Sequence, residues 1–213
     1  MKITGAIFDM DGTLLNSMDY WAMVPTEYLE YKGLTPKPDT NRYFTDKGMR
    51  WWYEYQEIPY PFEEVSEDIY MLIQKYYDND IALKDGVYEM LQRLDDAGVK
   101  MVLATATDRV VVEKVLKRLG IDRFFSAIFT SKEIGVGKQN PLIFEKALEF
   151  LGTDKETTYV FEDAIHAMKT CYNNGFKIVG VYDKNVFATE GEILSLCNLY
   201  LDKDSKYKFD IDC

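Results

Sequence analysis

From residue 83 onward, short apolar runs alternate with segments whose apolar residues recur at helical spacing, and few architectures accept that rhythm. Residues 85–97 place Val87, Met90, Leu91 and Leu94 on one helical face, and Gly98 supplies a stop. Residues 100–104 then read as a buried strand, 110–119 as a helix ended by Gly120, and 127–130 as a second short strand. Pro141 sits where a missing N–H is harmless, at the head of a helix over 142–151. Strands over 158–161 and 177–182 flank a helix over 164–173, and 191–197 reads as a short last helix. Strand and helix in strict turn imply an α/β chain with a mostly parallel sheet covered by helices on both faces. Its functional groups belong at the carboxyl ends of the strands.

The first strand lies far from the rest in sequence. The apolar residues Ile7 and Phe8 run into Asp9-Met10-Asp11-Gly12-Thr13. Two carboxylates at the exit of a buried strand are costly unless a cation or a reacting group uses them. One could attack an electrophile while the other handles a proton, or both could hold a cation. A solvated acidic turn or a helix cap is the plainer reading of the same residues.

Residues 16–82 break the alternation. They hold all three tryptophans, Trp21, Trp51 and Trp52, and show helical spacing over 18–31 and 65–77 around a proline-containing link at 34–38. They read as a helical insertion, leaving 1–15 and 83–213 to form the sheet domain. The insertion's rings fit a small domain's core better than a ligand pocket, because a short segment has little else to bury. Trp51, Trp52, Tyr53 and Tyr55 are the ones a pocket would use, and Arg42, Lys47 and Arg50 the ones an anionic group would meet.

The 213 residues carry a formal net charge of −11, which argues against nucleic acid or an anionic membrane surface as partner. A small anionic substrate remains compatible, since a metal ion and a lysine can reverse the local field. No apolar run is long enough to span a bilayer, and the first strand begins too early for a secretory signal to precede it. Cys171, Cys197 and Cys213 are few and contain no CxxC spacing, so a reduced cytoplasmic protein without a zinc site is expected.

Three further strand ends carry polar groups. Thr105 ends its strand and precedes Ala106-Thr107-Asp108, where a hydroxyl and the N–H groups of a helix start form a phosphate cradle or simply a cap. Lys138 lies in Gly135-Val136-Gly137-Lys138-Gln139-Asn140-Pro141, which is not a nucleotide-binding P-loop because an earlier glycine is missing and Gln139 stands where Ser or Thr is needed. Glu162-Asp163 follows another buried strand. Acidic pairs at two strand ends, with a lysine between them in sequence, suit a hard cation such as Mg²⁺.

Taken in order, Asp9-x-Asp11-Gly12-Thr13, Thr105, Lys138 and Glu162-Asp163 resemble the four motifs of the haloacid dehalogenase superfamily. The form of the last motif is most similar to the β-phosphoglucomutase-like branch, and the resemblance covers essentially the whole chain. It implies a Rossmann-like core with an inserted helical cap and a Mg²⁺-dependent phosphatase acting on a small phosphorylated metabolite as a monomer. It makes Asp9 the nucleophile and Asp11 the acid and base. It gives the phosphoryl oxygens to Thr105, Ala106 and Lys138. The metal goes to Asp9, the Asp11 carbonyl and Asp163, with Glu162 either a ligand or a neighbour of one. Ala164 departs from the family's usual Ser, and Gln139-Asn140-Pro141-Leu142 from its usual Pro-x-Pro-Asp. A sugar phosphomutase is the main alternative, but such mutases carry a histidine where this chain has Trp21. The lone His166 reads as a surface or helix-packing residue. A non-catalytic relative would show damage to Asp9, Asp11, Lys138 or Asp163, and all four are intact.

Overall fold

Ala6, Ile7 and Phe8 are apolar and fully buried, and their strand β1 (Gly5–Phe8) pairs on both sides. Burial on both faces is why this strand reads as a continuous apolar run rather than an alternating one. The computed structural model describes residues 2–186 and 188–210, with the backbone but not the side chains of 45–47. Cys213 and the side chain of Lys47 therefore lie outside the described residues.

By its contacts the chain divides into two compact units, Met1–Asn16 with Ala82–Cys213, and Ser17–Ile81. In the first, β1 is joined by β2 (Lys100–Thr105), β3 (Ile128–Thr130), β4 (Thr158–Glu162), β5 (Lys177–Val181) and β6 (Leu199–Leu201). The strands are all parallel and lie in the order β3-β2-β1-β4-β5-β6. Successive strands build outward from β1 to one side, then the chain crosses back to β4 on the other. The carboxyl ends of β1 and β4 thus frame the switch point where open parallel sheets bind ligands.

Alternation along each strand sends side chains to opposite faces. Ile7, Val102, Val160 and Ile178 pack with Ile143, Phe144 and Ala147 of one helix and Ala167, Met168 and Cys171 of another. Phe8 turns the other way and stacks on Phe161 with ring centroids 4.3 Å apart.

The sheet's helices are α5 (Val87–Asp96), α6 (Arg109–Arg118), α7 (Ser131–Ile134), α8 (Leu142–Leu151), α9 (Ile165–Asn173) and α10 (Glu190–Leu194), following α1 to α4 of the second unit. The pattern over 85–97 overshoots at its start because Gly86, at φ 90°, precedes the first helical residue. Glu162 is the last residue of β4 rather than the first beyond it, since its backbone is still in register with Gly180. The helix expected over 191–197 ends at Leu194. The three-residue β6 is the strand that the sequence pattern misses.

The second unit comprises α1 (Met18–Tyr31), α2 (Thr40–Lys47), α3 (Met49–Gln56) and α4 (Phe62–Asn79). Its core holds Tyr28, Trp52, Val65, Ile69, Ile73 and Tyr77. The Trp52 indole N–H donates to Thr40 Oγ1 at 2.8 Å, so the buried ring leaves no polar atom unpaired. Trp51 instead is 40% exposed and stacks on Tyr55 at 5.1 Å. Arg50 lies over the Phe62 ring, 3.7 Å from its centroid, and Arg42 is exposed. Among the described residues no helix is long and apolar enough to cross a membrane.

Candidate active site

Beyond Phe8 the ladder continues for one more bond, from the Asp9 N–H to the Phe161 carbonyl at 3.0 Å. That bond sets Asp9 beside the end of β4, where Glu162 and Asp163 stand. One carboxylate oxygen from each of Asp9, Glu162 and Asp163 lies within 4.8 Å of the others, and all three residues are buried. Lys138, buried as well, donates to Asp9 Oδ1 and, at 2.8 Å, to Glu162 Oε2. Its loop is shaped by Gln139, whose side chain fills the space a Cβ on Gly137 would need. Asn140 then accepts from the Leu142 N–H at 3.0 Å at the head of α8.

Three buried carboxylates face one ammonium here. Burial, and then the charge of Glu162, push the Asp9 carboxyl up to about 6 against the pull of Lys138. Burial again, then Glu162 and Asp9, hold the Asp163 carboxyl well above the usual carboxylate range, with Lys84 opposing. Desolvation works to lower the Lys138 pKa, but Asp9 and Glu162 outweigh it and keep the ammonium charged. The cluster is short of positive charge, which is the condition a divalent cation relieves.

The turn after β1 is built for close approach. Gly12 has φ +81°, and a Cβ there would lie 2.2 Å from Asp163 Oδ2. Only glycine lets the backbone pass so near the carboxylate. Thr13 Oγ1 donates to Asp163 Oδ1 at 3.1 Å. The Asp11 side chain leaves the carboxylate cluster and accepts from Thr107 Oγ1 at 2.7 Å. Thr105 is buried at the end of β2 and accepts from the Thr107 N–H at 3.1 Å, while Ala106 is exposed beside it. Asp108 precedes α6 but makes no side-chain cap, because its carboxylate pairs with Lys132 at 2.7 Å.

Glu162 spends both oxygens locally, one on Lys138 and the other on the Ala164 N–H at 3.1 Å. His166, in the first turn of α9, is exposed. Desolvation of its ring and then the Lys138 charge lower its pKa, while Asp9 raises it. Thr13 hydrogen-bonds to Asp163 and Thr107 to Asp11, Lys84, Asp183 and Tyr207 lie within electrostatic reach of Asp163, and no motif singles any of the five out by its side chain. Asp183 lies just beyond the end of β5, so the strand-end rule that marks Asp9 also marks it.

The family profile for haloacid dehalogenase-like hydrolases matches residues 6–181. The chain is 28% identical over 186 residues to pyrophosphatase PpaX of Halalkalibacterium halodurans, covering 83% of this chain and 82% of that one. It is 27% identical over 173 residues to hexitol phosphatase B of Escherichia coli, covering 78% of each. A candidate β-phosphoglucomutase from Thermotoga maritima superposes with a TM-score of 0.78 at 22% identity, covering 97% of both chains. With the four motif regions gathered at the carboxyl ends of β1, β2 and β4, the chain belongs to the haloacid dehalogenase-like hydrolase family.

Proposed function

We propose that this protein is a Mg²⁺-dependent phosphatase that hydrolyses a small phosphorylated metabolite through an aspartyl-phosphate on Asp9. The observation carrying this reading is the set of three buried carboxylates, Asp9, Glu162 and Asp163, against one Lys138 at the β1–β4 switch point. The donor set is all oxygen, as a hard cation prefers. Asp9, Asp163 and the Asp11 carbonyl would hold Mg²⁺, which when bound neutralises charge on the transferring phosphoryl group. Glu162 accepts from Lys138 and from the Ala164 N–H, and we assign it to holding Lys138 beside the metal.

An Asp9 carboxylate oxygen forms a bond to phosphorus as the bond to the leaving oxygen breaks, and Asp11 gives that oxygen its proton. Asp11 then takes a proton from water as the water oxygen bonds to phosphorus and Asp9 is released. Lys138, Thr105 and the Ala106 N–H meet the phosphoryl oxygens. Thr107 holds Asp11 in the orientation for proton transfer. The similarity to relatives named pyrophosphatase and hexitol phosphatase supports a substrate among small phosphorylated compounds. We assign the helical unit the role of a cap, and the protein a monomeric, cytoplasmic life with Cys171 and Cys197 as free thiols.

Phosphate release from p-nitrophenyl phosphate tests the reading. Turnover should require Mg²⁺ and vanish with a strong chelator; undiminished activity in chelator overturns the metal assignment. A panel of phosphorylated metabolites then identifies the ester.

A further inference from the structure

Two carbonyls in succession, those of Gly12 and Thr13, are gripped from behind by side chains that no motif includes. Lys84 donates to the Gly12 carbonyl, to the Tyr182 carbonyl at 2.8 Å and to Asp183 Oδ2 at 2.9 Å. An ammonium has three donors, and each has an acceptor. The backbone of Lys84 is fixed as well, because its N–H donates to the Leu14 carbonyl at 2.9 Å. Chain leaving β1 and chain returning at residues 82–84 are bridged antiparallel there, with Leu15 opposite Leu83.

The Thr13 carbonyl accepts from the hydroxyl of Tyr207, which is buried. Tyr207 reaches it from a C-terminal tail held in a strained path. Lys206 has φ 46° and Tyr207 φ 56°, two consecutive non-glycine residues in the left-handed region. Such residues persist only where surrounding contacts over-determine them. Here the Arg93 guanidinium donates to the Tyr207 carbonyl at 2.8 Å and to the Phe209 carbonyl at 3.1 Å, and Lys206 pairs with Asp85 at 3.0 Å. The Lys206 carbonyl crosses Gly86 so closely that a Cβ there would lie 2.1 Å from it.

We propose that Lys84 and Tyr207 are positioning residues for the reaction assigned above. They clamp the Gly12–Thr13 backbone against which Asp163 packs, and thereby hold Asp163 and the Asp11 carbonyl in place for the cation. The inference rests on the Mg²⁺-phosphatase reading. Lys84 also brings positive charge toward Asp163, and charge and position act in opposite directions. As a mere charge, Lys84 opposes a metal cation, so its loss would tighten Mg²⁺ binding. As a clamp, its loss would weaken it.

The test uses the full chain with Lys84→Met combined with Asp183→Asn, which removes one charge of each sign, beside Lys84→Arg and Tyr207→Phe. Mg²⁺ binding is read from the metal-dependent rise in melting temperature, independently of turnover. The paired substitution should raise the half-effective Mg²⁺ concentration about tenfold or more, and Lys84→Arg should restore it to within about threefold. Tyr207→Phe, one oxygen smaller, should lower kcat about tenfold with KM within about twofold. Half-effective Mg²⁺ and kcat that stay within about twofold of the parent, whatever the melting temperature does, would overturn the proposal, as would tighter Mg²⁺ binding by the paired variant. Should the paired variant not fold, the Tyr207→Phe kcat decides alone. A parent protein whose melting temperature ignores Mg²⁺ sinks the metal reading itself, and the clamp with it.

Discussion

Lys138 and Asp9 meet as a buried ion pair although 129 positions separate them in sequence. The sheet order brings them together, because Asp9 leaves β1 at the centre and the Lys138 loop leads into α8, which packs on β1 and β2. Breaking a buried pair strands the remaining charges. Lys138→Met should therefore act twice. Loss of one donor to the transferring phosphoryl group should cost about 3 kcal/mol or more in kcat/KM. Asp9, Glu162 and Asp163 would also face one another uncompensated, lowering the metal-free protein's melting temperature. A variant with turnover reduced less than about tenfold would mean that another cation meets the phosphoryl oxygens.

Asp9→Asn should separate chemistry from stability. An amide cannot attack phosphorus, so turnover should disappear. Yet burial, and then the charge of Glu162, raise the Asp9 carboxyl, so its ionised form is unfavourable in the metal-free fold. Replacing it with a neutral amide should stabilise the metal-free protein at pH 7 by an amount on the order of 1–3 kcal/mol. Urea unfolding in chelator measures this. A well-folded variant that still turns over would remove Asp9 from its role.

The same shift fixes a pH dependence. Folded Asp9 titrates near 6 and its ordinary value is 3.8, so between these values the native state binds the extra proton. Its contribution to stability is present at low pH and is lost as pH rises through about 6. In chelator, the stability of the parent relative to Asp9→Asn should fall across that window. Mg²⁺ must displace the Asp9 proton, so its half-effective concentration should drop as pH rises from 5 to 7. A flat difference between parent and variant contradicts the assigned shift.

Much of the candidate site was legible because its polar groups sit at strand ends. Asp9, Thr105 and Asp163 each terminate or follow an apolar run, and apolar runs are the clearest signal in a parallel sheet. The Glu162–Lys138 ion pair was not legible, since a carboxylate that ligates a metal and one that grips a lysine have the same sequence. Lys84 and Tyr207 left no trace either, because each works through a carbonyl of the motif rather than a side chain. In the helical unit, residues 40–56 mix rings and charges without a clean period. The α2–α3 pair therefore emerges only when Trp52 and Thr40 are seen bonded.

Trp21 bears on whether the phosphoryl group goes to water or back to a sugar. Its indole N–H donates to the Tyr77 hydroxyl at 3.0 Å and its ring stacks near Phe44, so it belongs to the helical unit's packing. An indole there cannot exchange a proton as a histidine can. With a hexose 1-phosphate and its bisphosphate activator, the protein should release free phosphate. Formation of the 6-phosphate without free phosphate would replace hydrolysis with mutase chemistry.

Thr107 gives a selective test of proton transfer, because its hydroxyl donates to Asp11 Oδ2, and Asp11 stands outside the cluster of Asp9, Glu162 and Asp163. Thr107→Val keeps the shape and removes the donor. A hydrogen bond to a charged group contributes about 1.5–3 kcal/mol, so kcat should fall by roughly tenfold to a hundredfold. The loss should depend on the leaving group. An alkyl alcohol leaves only with a proton, whereas p-nitrophenolate leaves readily without one, so acid catalysis matters far more for the first. Comparing kcat/KM, which runs only to leaving-group departure and excludes the shared hydrolysis of the intermediate, for an alkyl phosphate and p-nitrophenyl phosphate in parent and variant should show the larger loss for the alkyl ester. Equal losses for both would mean that Thr107 serves the phosphoryl group or the fold, and that Asp11 does not depend on it to deliver the proton.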